Sequence, residues 1–345
     1  MSRRRSIVCA GYMPLDIVRT TAGTVARRAG GTAANVAAIL AYLGWDTVLA
    51  GQAGTDVAAS ELVADLRDAG VAVDQITRAE NAQTPRLVHD ALPEGHFYRY
   101  GCSECGARFP RSRPLTLDGA RACEEAHPTP TVFFFDRANA GTLSLAETYA
   151  KAGSVVVFEP SLPANAELLA RAAAVADVIK HSDDRSVGGL DDLHVLPQSG
   201  QLRIVTHGAA GLELRVGTAR GRRLAALATL AVDTGGAGDW TTAGFLARAA
   251  AGGRLDCGQL EHALRFGQAL AAVNCATVGA RGLMSMAPDS ARRRARRVLR
   301  EGGLTSAPRL AAAPAPVHLP GLCPSCLMPI ADQLALEDTV TATTV

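Results

Sequence analysis

Short, continuous apolar runs alternate with longer Ala- and Leu-rich stretches along most of the chain. The runs at 7–10, 132–135, 155–158, 178–179 and 202–205 carry no polar alternation, as strands covered on both faces do. Between and after them, residues 33–43, 58–69, 143–152, 164–176, 241–251, 260–277 and 290–300 read as helices. Strand and helix in alternation predict an α/β fold, a doubly wound and mostly parallel sheet flanked by helices. A further apolar run at 224–232 reads as a buried strand that delivers the glycine-rich loop behind it.

Two segments leave this rhythm. Residues 84–114 contain short polar strands at 86–90 and 96–100 around Pro93-Glu-Gly95, which predicts a hairpin projecting from the main body as a small β lid. Residues 305–320 are rich in Ala and Pro and read as a linker, and 321–345 as a tail bearing Cys323 and Cys326. The expected organisation is one domain over 1–304, then linker, then tail.

Length and composition narrow the class. With 345 residues, 48% of them hydrophobic, the chain can bury a large core, and a net charge of +2 gives no electrostatic case for nucleic acid or an anionic membrane. The cluster from Arg292 to Arg297 reads as the solvated, dipole-complementing end of a helix. Pro14 and Asp16 cut the apolar run after the basic start too early for an export segment, and no run reaches the roughly 20 residues of a membrane span. A cytoplasmic protein with reduced thiols is expected.

Residues 233–239 read Asp-Thr-Gly-Gly-Ala-Gly-Asp and run directly into an apolar helix. Glycines there let backbone N–H groups turn toward one point, and the helix adds the positive end of its dipole, so an anion is favoured. Asp239 is out of place beside an anion unless it takes a proton from an attacking hydroxyl, which suggests phosphoryl transfer. A plain strand-to-helix turn with Asp239 as a helix-start charge is the competing reading. Gly30-Gly31 before Asn35 opens a second helix, where the amide could read ligand hydroxyls and Asp16 could accept hydrogen bonds from a polyol. Close packing alone would also explain those glycines.

Taken together, Asp16, Gly30-Gly31 with Asn35, Gly51-Gln-Ala-Gly54-Thr-Asp56, Leu66-Arg-Asp-Ala-Gly70-Val71 and Asp233–Asp239 resemble the ribokinase-like (PfkB) carbohydrate kinases, in order and spacing over residues 6–300. The resemblance implies an ATP-dependent kinase acting on a sugar, with a β lid over the sugar site. It implies that Asp239 is the base and that the N–H groups of Gly236, Ala237 and Gly238 form the anion hole. Asp16, Gly31 and Asn35 fall where the family holds substrate, and Asp233 where many members bind a monovalent cation such as potassium. Thr206, Gly208 and Gly211 match the nucleotide-side strand end, and Gln268 and Gly279 the adenine side. One motif departs: where the family has Asn-x-x-Glu to organise magnesium, this chain has Ser182-Asp-Asp-Arg185. A nucleoside acceptor stays open, although 4% aromatic content offers few stacking platforms. So does a non-catalytic sugar- or nucleotide-binding regulator on the same fold.

Of eight cysteines, Cys9, Cys123, Cys257 and Cys275 lie in apolar or helical surroundings. Cys102-Ser-Glu-Cys105 and Cys323-Pro-Ser-Cys326 each have the spacing of a zinc knuckle. The expectation is a structural zinc held by all four thiolates, docking the tail on the lid within one subunit or across a homodimer. A redox Cys-x-x-Cys pair and plain free thiols are the rival readings.

Overall fold

Apolar runs without alternation need cover on both faces, and they find it in a ten-stranded sheet with helices on either side. The structure, a computed structural model, describes residues 5–92, 95–160, 165–183, 200–252, 254–308, 317 and 319–330. The first half of the chain gives β1 (Ser6–Ala10), β2 (Leu15–Thr20), β3 (Gly23–Ala29), α1 (Thr32–Tyr42), β4 (Asp46–Ala53), α2 (Val57–Asp68), β5 (Val71–Ala72) and β6 (Ile76–Arg78). A hairpin of β7 (Arg86–Leu92) and β8 (Gly95–Arg99) follows. Then come α3 (Leu117–Ala126), β9 (Val132–Phe135), α4 (Ala140–Lys151), β10 (Val155–Phe158), α5 (Ala166–Val175), β11 (Val178–Ser182) and β12 (Leu202–Thr206). After β13 (Leu212–Val216) and β14 (Arg222–Leu224), the chain closes with α6 (Ala237–Ala249), α7 (Leu260–Asn274) and α8 (Pro288–Glu301).

The large sheet has the order β14-β13-β12-β11-β10-β9-β1-β4-β5, with β6 also paired to β4. From β12 to β5 the pairs are parallel, and only β13 and β14 run antiparallel. Side chains alternate between two cores. Cys9, Phe134 and Val157 pack with α1, α6 and α7, while Val8, Phe133, Phe135 and Phe158 pack with α3, α4 and α5. Each such buried Phe contributes roughly 1.5–3 kcal/mol.

The 224–232 run is not a buried strand. Only Leu224 closes β14, Ala228 makes an isolated bridge to Gly303, and Leu230 and Val232 are 46% and 55% exposed. Its Ala-rich composition offers too little area to hold a strand between two layers. Strands β4 and β13 and helix α3, which the apolar runs did not announce, complete the sheet and its cover.

The lid also differs from a simple hairpin. It is a four-stranded sheet, β3-β2-β7-β8, so residues 15–20 and 23–29 supply half of it. Residues 93–94 at its turn lie outside the described residues, as do most of the linker and residues 331–345. Alternation along β2 and β7 divides the lid into two faces. Ile17 and Val88 point to the back, against Cys102, Phe109, Cys323 and Cys326. His89 points to the front, where it reaches Asp233.

Two carboxylates tie the lid to α2. Asp56 caps that helix through the Ala59 N–H and receives the Thr84 hydroxyl and N–H and the Arg86 guanidinium. Asp65 receives the Ala29 N–H at 2.8 Å, Arg28 at 3.0 Å and Arg281. Burial alone pushes both carboxyls up, but these donors outweigh it and hold both below the usual value of 3.8. Because their folded values are depressed, the stability they contribute is present above pH 3.8 and lost as pH falls through the lower folded values. Melting temperature followed against pH should show an acid limb below about pH 4, shallower in Asp65→Asn than in wild type.

The Arg292–Arg297 cluster does more than face water. Arg292 donates to the Leu43 carbonyl at 2.7 Å and Arg294 to Ser306, which seats α8 on its neighbours.

Candidate active site

Parallel strands end on one edge, and open α/β sheets bind ligands outside that edge. The residues just past the strand ends gather there: Tyr12 after β1, Asp136 after β9, Glu159 after β10, Ser182 closing β11 and Thr206 closing β12. Asp136, 1% exposed, accepts the Tyr12 N–H at 2.8 Å and fixes the turn out of β1.

The 233–239 loop meets this edge from the α6 side. Gly236 is the N-cap of α6 with φ 76°, and a Cβ there would lie 2.5 Å from the Ala280 carbonyl oxygen, so only glycine makes this turn. No side chain caps α6, so its first-turn N–H groups are not taken by a capping residue. Ala237 gives its N–H to the Thr234 carbonyl at 3.2 Å, whereas no protein acceptor for the Gly236 and Gly238 N–H groups occurs among the described residues. Asp233 braces the loop from beneath, accepting the Gly235 and Gly279 N–H groups at 2.8 Å each, with His89 Nε2 at 3.2 Å. Burial opposes the charge on both partners. The ion pair and the backbone donors prevail, so Asp233 is held below the usual carboxylate value and His89 is pushed above the usual imidazole value.

Asp239 sits in the first turn of α6 and is 8% exposed. Asn35 comes from the first turns of α1, a helix buried nearly all round because Ala33, Ala34, Ala37 and Ala38 let it pack closely. Its Nδ2 donates to Asp239 Oδ2 at 2.7 Å, across 204 residues of sequence. Gly31, the α1 N-cap at φ 82°, lies against the Tyr12 carbonyl. Asp16 on β2 packs its carboxyl on Gly30. The Asp16 and Asn35 Oδ1 atoms are buried with no hydrogen-bond partner among the described residues. Two buried, orphaned acceptors suit hydroxyl donors of a ligand. Burial pushes the Asp16 carboxyl up to about 7, against the pull of His89 and Arg281.

The nucleotide-side candidates stand further along the edge. Ser182 pairs with Thr206 in the β11–β12 register, and Gly208 and Gly211 shape the turn after Thr206 at positive φ. Asp183 lies 2.5 Å from His207 Nδ1. Asp184 and Arg185, which complete the departing motif, lie outside the described residues. Gln268 on α7 is anchored to the Ala225 carbonyl at 3.3 Å. Gly279, read from the sequence as adenine-side, is drawn to Asp233 and so to the loop.

With this geometry in place, the kinship of the chain is decisive. Residues 4–94 and 131–286 match the family model described as pfkB family carbohydrate kinase. The chain belongs to the pfkB family of carbohydrate kinases. It is 32% identical over 259 residues to an ATP-dependent ribose-1-phosphate kinase of Halopiger xanaduensis, covering 73% of this chain and 82% of that one. It is 28% identical over 306 residues to probable fructokinase-5 of Arabidopsis thaliana, covering 80% and 93%. Among solved structures, a fructokinase from Xylella fastidiosa with bound ATP superposes with a TM-score of 0.67 at 19% identity, covering 87% of this chain and 99% of that one. Aminoimidazole riboside kinase from Salmonella enterica, complexed with aminoimidazole riboside and an ATP analog, gives 0.66 at 22% identity, covering 84% and 100%. At these identities the structures share the fold of this pfkB kinase.

Two groups of this kinase escaped the sequence reading. Lys180, 3% exposed, lies 2.5 Å from Glu159 Oε1, and Glu159 Oε2 accepts the Thr242 hydroxyl at 2.7 Å. A Cβ on Gly238 would stand 3.4 Å from the Lys180 ammonium, so a buried cation flanks the anion loop. The available signal was a lysine inside an apolar strand, Val178-Ile-Lys180, since a buried charge needs a partner or a task. Arg137, over the Tyr12 ring at 4.7 Å, adds a second cation at the edge. Among the described residues, no helix is long and apolar enough to cross a membrane.

Proposed function

We propose that this kinase transfers the γ-phosphoryl group of ATP to a hydroxyl of a sugar or sugar-like molecule, with Asp239 as general base. The observation that carries the reading is the 2.7 Å bond from Asn35 to Asp239. It joins the amide that would hold the acceptor to the carboxylate that would take its proton. Asp16 and Asn35 accept the neighbouring hydroxyls, with Gly31 keeping the backbone clear, and orient the reacting oxygen toward the loop. Gly236 and Gly238 N–H groups, joined by Ala237 when it releases its long bond to Thr234, stabilise charge on the phosphoryl oxygens, and the Lys180 ammonium, ion-paired with Glu159, lies beside them.

The nucleotide lies along Ser182, Thr206, Gly208 and Gly211, toward Gln268. Glu159 and Asp183 are the described carboxylates on that stretch, and their hard oxygen donors suit magnesium held through water. Magnesium bound with ATP neutralises the phosphate oxygens. A potassium ion at the loop would lie against Asp233 and compete for it with His89. The same reading includes a homodimer through the lid, where edge strand β8 exposes Phe97 and Tyr98, and a cytoplasmic setting that supplies ATP and reduced thiols.

Phosphoryl transfer from ATP, measured against fructose, ribose, ribose 1-phosphate and a set of ribosides, should show turnover on at least one acceptor. Binding of ATP and acceptor without turnover on any would reverse the reading in favour of a non-catalytic binding protein.

A further inference from the structure

Two chain segments more than 200 residues apart fold into twin turns and meet at their sulfurs. In the first, Cys102 N–H donates to the Ala107 carbonyl and Gly106 N–H to the Cys102 carbonyl, and Gly101 bridges Arg108. In the second, Cys323 N–H donates to the Met328 carbonyl, Leu327 N–H to the Cys323 carbonyl, and Leu322 bridges Pro329. The residue after the second cysteine takes positive φ in both, 73° at Gly106 and 59° at Leu327. A leucine in that region is disfavoured, so the turn is imposed by what it must present rather than by its own preference.

All four Sγ atoms lie within 4.8 Å of one another. Cys102 Sγ is 3.8 Å from Cys323 Sγ, and Cys105 Sγ is 3.5 Å from Cys326 Sγ. A tetrahedron with zinc–sulfur bonds of about 2.3 Å has sulfur–sulfur edges of roughly 3.8 Å. Disulfides would need roughly 2.05 Å within each pair, with no reason to bring the two pairs together. Cys102, Cys323 and Cys326 are buried and Cys105 is exposed, so the cluster is enclosed yet open to exchange on one side.

We propose that these four thiolates hold one zinc ion, and that the zinc clamps the C-terminal segment onto the back of the lid. The surrounding contacts fit a clamp. Arg86 donates to the Cys326 carbonyl at 2.7 Å, Arg27 to the Pro324 carbonyl at 2.7 Å and the Val317 carbonyl at 2.8 Å, and Thr24 meets Ser325 at 2.7 Å. Ile17 and Val88 lie beneath it, on the same two strands whose front face bears Asp16 and His89. One chain supplies all four sulfurs, and a complete thiolate shell leaves no position for catalysis, so the role is structural.

The full-length protein, purified without chelator and under reducing conditions, should contain about one zinc per chain, as a closed four-thiolate site holds one ion. Cobalt(II) in its place should give the visible absorption of a tetrahedral tetrathiolate site. Cys326→Ser should lose most of the metal. Because that variant could fail to fold, wild-type protein stripped with a chelator provides the second measurement: amide exchange over residues 15–20 and 86–92 should accelerate and return to its starting rate when zinc is added. Metal content near zero after zinc addition, or mass spectrometry showing two disulfides in the active preparation, overturns the site. Metal bound with exchange in β2 and β7 unchanged by its removal overturns the clamp.

Discussion

Asp239→Asn should lower kcat by about 10²–10⁴-fold, the usual worth of a positioned general base, while leaving ATP and acceptor binding nearly intact. In free energy this is roughly 2.7–5.4 kcal/mol taken from the transition state alone. The substitution is well suited to the test because it preserves shape. An asparagine oxygen can still accept from Asn35 Nδ2, so α1 and α6 stay coupled and the bond at 2.7 Å has a counterpart. What is lost is the ability to accept a proton from the acceptor hydroxyl as its oxygen attacks. Steady-state kinetics with calorimetric binding on the same samples would separate the two effects. Turnover within a few-fold of wild type removes Asp239 as the base, and a parallel collapse of binding means that its role is to shape the site.

The parts of this site differ in how far the sequence exposes them, and the difference is physical. Asp239 and Gly236 were legible because a tight turn at positive φ ahead of a helix restricts residue choice at consecutive positions. The strand core was legible because Val132–Phe135 and Val155–Phe158 are covered on both faces and show no polar alternation. Strands β2 and β3 were not, since a lid with one face toward a polar site and the other toward four cysteines mixes Asp16, Arg19, Arg27 and Arg28 with apolar residues. The apparent strand at 224–232 failed for the opposite reason: Ala and Leu in succession look buried, but Leu230 and Val232 are about half exposed. Lys180 on β11 and Glu159 just past β10 are single residues far apart in sequence, and the β10–β11 pairing brings them together beside Gly238. The cysteine pairs were legible as local turns, and their convergence on the lid was expected from the sequence as well, because a Pro-rich linker can carry the tail back.

Asp16→Asn should raise the acceptor KM roughly 10–10²-fold with kcat little changed, through loss of a charge-assisted hydrogen bond of about 1.5–3 kcal/mol to the sugar. A general loss of structure would also weaken binding, so the discriminating readout is stability. In the ligand-free protein burial lifts the Asp16 carboxyl to about 7, well above its ordinary 3.8. A raised folded value means that the contribution of Asp16 is fully present below pH 3.8 and is lost as pH rises through about 7. Above that pH the empty site carries a buried charge whose Oδ1 has no partner among the described residues. Asparagine removes the charge and keeps the volume. The variant should therefore melt higher than wild type, by a margin that grows between about pH 4 and about pH 7 and is flat above. Saturating acceptor should erase the margin, because hydroxyl donors satisfy the carboxylate in wild type and the variant binds them weakly. A variant that loses affinity and also melts lower at pH 8 would make Asp16 a structural residue of the lid. The expected pairing, weaker binding with a more stable empty protein, is the signature of a carboxylate kept at a cost to the fold for the substrate it meets.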